Sequence, residues 1–96
     1  MLNKKQIIDL LRSNKEEFAR RFSVRHIGLF GSVTRGEEHA GSDIDILVDF
    51  ELSTFDNYMD LKFHLEQVLG SNVDLVLMNS VKPRLKPIIS REVVFA

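Results

Sequence analysis

The chain has 96 residues, 44% hydrophobic and 28% charged, and 13 Lys and Arg against 14 Asp and Glu leave a formal net charge of -1. A chain this short buries one core, so a single domain over residues 1–96 is expected, and its near-neutrality excludes a polybasic arm that tracks nucleic acid. The absence of cysteine excludes a disulfide framework, a thiolate zinc site and a cysteine nucleophile, and no apolar run approaches the ~20 residues of a membrane span. No apolar signal core follows the start Met-Leu-Asn-Lys-Lys-Gln; a cytoplasmic protein without membrane or direct nucleic-acid contacts is expected.

In chain order, Ile7, Ile8, Leu11, Phe18 and Phe22 recur at helical spacing, with Asn3 placed to cap one helix over 3–22. Val24 to Phe30 reads as a strand, stopped by Gly31-Ser32. Residues 31–42 form a polar, Gly-containing connection with one helical turn after Ser32. Asp43 to Phe50 begins in strict alternation and becomes continuously apolar, as a strand entering a buried sheet does. Tyr58, Leu61, Leu65, Val68 and Leu69 give a second long helix with Gly70 as its stop. Val73 to Met78 is a third strand with Asp74 interrupting its apolar run, Pro83 and Pro87 bracket a turn or two of helix, and Val93 to Phe95 supplies an edge strand. This order gives an α/β fold, a small β-sheet with helices packed on it.

Charge is segregated along the chain. Between Glu37 and Asp60 lie eight carboxylates and no Lys or Arg, whereas Lys82, Arg84, Lys86 and Arg91 form a stretch without acids. Most of these are solvated surface residues, and Asp56 and Asp60, one helical turn apart, are expected to face water. Asp43 and Asp45 differ, because side chains two apart on a strand share a face. Carboxylates within about 4 Å repel by about 4 kcal/mol at an effective dielectric near 20, a large fraction of a small domain's stability. A neighbouring base, a raised pKa or a bound cation must offset that. With no base nearby in sequence, a divalent cation is the economical solution, and oxygen ligands point to Mg²⁺ or Mn²⁺. Asp74 is a natural third ligand if its strand lies beside the second one. Gly31-Ser32, a bend with exposed N–H groups and a hydroxyl, offers an anion cradle, and Arg35 stands one helical turn further on. Together these features describe a site for a nucleoside triphosphate and magnesium.

Gly31-Ser32, ten intervening residues and Asp43-Ile44-Asp45 reproduce the Gly-Ser-x10-Asp-x-Asp signature of the polymerase-beta-like nucleotidyltransferase superfamily. The surrounding Leu29–Glu37 and Ser42–Phe50 resemble its minimal nucleotidyltransferase (MNT) family, and Val73-Asp74-Leu75-Val76 is similar to that family's third-carboxylate strand. The resemblance implies a mixed sheet bearing helices, with Asp43, Asp45 and Asp74 as catalytic residues holding two Mg²⁺ ions. It implies that Gly31 and Ser32 bind the triphosphate, with Arg35 matching an arginine usual in the motif. It also implies a HEPN-domain toxin as partner in a hetero-oligomer, neutralised by transfer of AMP from ATP to its tyrosine. The alternative is a binding module that neutralises the partner by occlusion. His26, His39 and His64 are expected to be structural or solvated, with His39, in the loop facing the site, within reach of a nucleotide, and Tyr58 is expected to be a helix-face residue.

Overall fold

The structure is a computed structural model that describes residues 2–36 and 43–96. Four strands, β1 (Val24–Phe30), β2 (Ile44–Phe50), β3 (Val73–Leu77) and β4 (Val94–Phe95), form one sheet in the order β3-β2-β1-β4. β1 is antiparallel to β2 and β4, whereas β2 and β3 run parallel, joined by the crossover helix α3 (Phe55–Leu69). The mixed sheet with helices on it is the expected class.

Parity decides which side chains meet the helices. Ile44, Ile46, Val48 and Phe50 of β2 point into the core with Ile27, Leu29, Val73 and Leu75 of the neighbouring strands. The register of β1 against β2 shifts between Val24 and His26, so Val24 and Ile27 both face inward despite their odd spacing. Over this face lie α1 (Lys4–Ser13), through Ile7, Ile8 and Leu11, α2 (Lys15–Phe22), through Phe18 and Phe22, and α3, through Leu61, Leu65 and Leu69.

The single N-terminal helix expected over 3–22 is two helices. Asn3 caps the first, its side chain accepting from Gln6 N while the Gln6 side chain accepts from Asn3 N. The break is at Asn14, whose Nδ2 donates to Leu10 O at 2.8 Å. Ser13 Oγ donates to Asp9 O at 2.8 Å, a second side chain competing for helix carbonyls. The apolar spacing reads through because Leu11 and Phe18 still reach one core. α3 starts at Phe55, before Tyr58, since Thr54 caps Asn57 N and the first turn is exposed, leaving no apolar period to read. Pro87 does not close a short helix: it lies in the first turn of α4 (Lys86–Glu92), where a missing N–H costs nothing. A 3-10 turn, Met78–Ser80, follows β3.

Tyr58 ties α3 to the sheet, its hydroxyl donating to Leu75 O at 2.6 Å, as a helix-face residue should. His64 packs edge-on against Phe18, with ring centroids 5.7 Å apart, and near Phe22 at 5.5 Å. Tyr58→Phe is expected to cost about 1 kcal/mol, the worth of one such hydrogen bond, as a lower urea midpoint at unchanged slope.

Candidate active site

The face of the sheet away from α1–α3 carries the candidate site residues Asp45 and Asp74. Asp45 and Asp74 are register partners across the parallel β2–β3 pair, so strand geometry alone brings the two acids together. Asp74 bears on Asp45 both by its charge and through the close approach of the two side chains. Burial pushes the Asp45 carboxyl up to about 6, and the charge of Asp74, the hydrogen bond to it and the charge of Asp43 add to that, opposed by Arg35. Asp49, on the same face, shows the contrasting solution. Its Oδ2 accepts from Arg25 Nε at 2.8 Å and lies 3.2 Å from His26 Nδ1. The hydrogen bond from Arg25, reinforced by His26, holds its carboxyl below the ordinary value against the effect of burial. Among the described residues, no Lys or Arg forms an ion pair with Asp45 or Asp74.

Asp43 precedes β2, is exposed, and bears on Asp45 by charge rather than contact. The expected convergence of three acids is therefore a register-paired couple with a third nearby. Among the described residues, no three His, Cys, Asp or Glu side chains are gathered closely enough to hold a metal ion. The donor chemistry nonetheless suits a hard divalent cation. All three groups are oxygen ligands, and the raised Asp45 carboxyl marks negative charge that a cation would relieve.

Gly31, at the end of β1, has a φ of 81°, and a Cβ there would collide with the Asp45 carboxylate. The glycine permits both the left-handed bend and the close approach of turn to acid. After it the chain winds into a tight turn, with Thr34 N donating to Gly31 O and Arg35 N to Ser32 O, each at 3.1 Å. The N–H groups of Ser32 and Val33 and the Ser32 hydroxyl have no acceptor among the described residues, as an anion cradle requires.

Arg35, expected beside the phosphates, is held by Glu92 of α4, its Nη1 lying 2.6 Å from Oε1. Sequence reading missed Glu92, since nothing local connects residues 57 apart. Asp56 and Asp60 are exposed as expected, and His26 is an exposed partner of Asp49. Glu37, Glu38, His39 and Ser42 lie outside the described residues.

A four-stranded mixed sheet with α1–α3 on one face and paired acids beside a glycine turn on the other defines a minimal nucleotidyltransferase of the polymerase-beta-like fold. A family profile, "Nucleotidyltransferase domain", matches residues 11–96, and the chain belongs to that family as a nucleotidyltransferase enzyme. It is 44% identical over 96 residues to the protein adenylyltransferase MntA of Thermococcus cleftensis, covering 99% of this chain and 97% of that protein. A structure given as a candidate minimal nucleotidyltransferase superposes with a TM-score of 0.73 at 36% identity, covering 91% of this chain and 93% of the other. A toxin–antitoxin structure with AMP-PNP gives a TM-score of 0.69 at 33% identity, covering 98% of this chain and 72% of that chain. Among the described residues, no helix is long and apolar enough to cross a membrane.

Because the native Asp45 carboxyl titrates at about 6 rather than 3.8, the folded chain binds more protons than the unfolded one between those values. Stability is therefore full below the lower value and falls as pH rises through the window. Without divalent cations, the melting temperature is expected to drop by several degrees between about pH 4.5 and about pH 7. Asp45→Asn should remove most of that slope in calorimetry; an undiminished slope would locate its origin elsewhere.

Proposed function

We propose that this chain, acting as one domain over residues 1–96, transfers AMP from ATP to a tyrosine hydroxyl of a HEPN-domain toxin in the cytoplasm and thereby serves as its antitoxin. The observation that carries the reading is the Asp45–Asp74 pair set against the Gly31 turn, in a chain of the nucleotidyltransferase family. Two similarities support the finer assignment: the Thermococcus relative is named a protein adenylyltransferase, and a structural neighbour is a toxin–antitoxin bearing the ATP analogue AMP-PNP.

Asp43, Asp45 and Asp74 are the residues that would hold two Mg²⁺ ions, or Mn²⁺ with the same ligands. Bound there, such ions supply charge neutralisation for the triphosphate and acidify the acceptor hydroxyl. The backbone N–H groups of the Gly31–Ser32 turn and the Ser32 hydroxyl hold the β and γ phosphates, and Arg35, anchored by Glu92, adds positive charge beside them. Asp74 is exposed on the outermost strand and accepts the acceptor's proton. The acceptor oxygen bonds to the α-phosphorus, the bond from that phosphorus to the bridging oxygen of the β-phosphate breaks, and pyrophosphate leaves.

A protein acceptor also fits the surface of α3. Phe55 is 77% exposed and Phe63 58%, two turns apart on the side away from the core, with Leu52 at 62% just before the helix. Grouped on one helix and just before it, these exposed apolar side chains suit an apolar face on a partner.

The direct test incubates the purified chain and the HEPN protein with α-labelled ATP and Mg²⁺. Label is expected on a partner tyrosine, and Asp43→Asn is expected to cut transfer by roughly a hundredfold or more with its melting curve intact. Stoichiometric neutralisation without label would reject transfer in favour of occlusion. Combined Phe55→Glu and Phe63→Glu should abolish co-elution with the partner while leaving ATP affinity within about twofold; co-elution at wild-type strength would rule out the α3 surface.

A further inference from the structure

Beside the acidic pair, the same face of the sheet carries a cleft that the transfer chemistry leaves unused. Leu47 follows Asp45 by two residues on β2, so it shares that face about 6.6 Å further along. It is only 4% exposed yet stands outside the main core. The 3-10 turn and α4 cover it, and a cleft of about 240 Å³ opens between them. Its floor and walls are Leu47, Met78, Val81 and Ile89, and its polar groups are Asn79, Lys86 and Ser90.

We infer that this cleft seats the purine base of the donor nucleotide and that Asn79 reads its edge, an inference that rests on the nucleotidyl-transfer reading above. The order along the sheet sets the direction. The glycine turn lies at the end of β1 against Asp45, and Leu47 lies on the other side of Asp45, so phosphates, reacting phosphorus and base follow one line. Two strand residues span about the breadth of a ribose. The lining matches a nucleobase in kind, since apolar side chains take the faces of a flat ring and a few polar groups meet its edge. An Asn amide offers a donor and an acceptor side by side, the complement of the adenine N6 and N7 positions. Lys86 adds a cation at the cleft, suited to the sugar-phosphate end. The acceptor has a separate route, because β3 is the outermost strand and Asp74 is exposed from its free side.

Asn79 and Ser90 are exposed, so substitutions there leave the core intact. Binding of ATP and of inorganic tripolyphosphate, each with Mg²⁺, is measured by calorimetry on the full chain. Ser90→Trp, which fills the cleft, is expected to weaken ATP by roughly tenfold or more while tripolyphosphate stays within about twofold. Asn79→Ala is expected to lower the preference for ATP over GTP by roughly tenfold. Equal weakening of both probes by Ser90→Trp would mean that the effect runs through the phosphate turn and overturns the inference. Unchanged ATP binding in both variants also overturns it, and loss of label transfer alongside would reassign the cleft to the acceptor. If the wild-type chain binds neither probe, the transfer reading itself fails; if it binds both and transfers label while the variants match it, only the cleft assignment falls.

Discussion

Two carboxylates that cannot both ionise comfortably set the terms for this molecule. Asp45 and Asp74 are forced together by the register of two parallel strands, and everything that fixes that register, the apolar parity of β2 and β3 and the packing of α3 across them, also holds the acids side by side. The fold spends stability to keep them there, and the raised Asp45 carboxyl marks the unrelieved charge. Asp49, on the same face, shows the ordinary alternative of an acid neutralised by its own Arg25 and His26. The difference between the two arrangements separates an acid whose charge stays unrelieved from a surface ion pair.

Around this pair, the other parts of the site arise from the strand ends. The bend at Gly31 lets the turn touch the Asp45 carboxylate, and Gly28 does a comparable service on the same strand. A Cβ at Gly28 would come within 2.8 Å of Val93 and 3.0 Å of Phe95, so its absence lets β4 and the end of α4 lie close to β1. The α4 segment then supplies both Glu92 to Arg35 and Ile89 to the cleft. One small residue on β1 thus aligns the C-terminal elements with the acids on β2.

Much of this was legible in the residues alone, for reasons specific to each. Asp43 and Asp45 announced themselves because alternation is strict at the start of β2, and Asp74 because a charge in an apolar run needs a cause. The pairing of Asp74 with Asp45 was not readable, since register across a crossover depends on how α3 packs, nor was the standoff of Asp43, which precedes the first ladder residue. The break at Asn14 escaped because core contacts keep helical spacing across it, and the true start of α3 because its first turn is solvated. The Arg35–Glu92 pair and the cleft are products of chain return, to which composition and period are blind.

The Arg35–Glu92 bridge also bears on the order in which the molecule acquires its parts. During synthesis the glycine turn and the acids emerge before Glu92, so the sheet's central strands can pair before the Arg35–Glu92 bridge forms. Arg35 therefore takes up its bridged position only once residues 86–92 have folded back beside β1, whereas the register pairing of Asp45 with Asp74 needs no residue beyond β3.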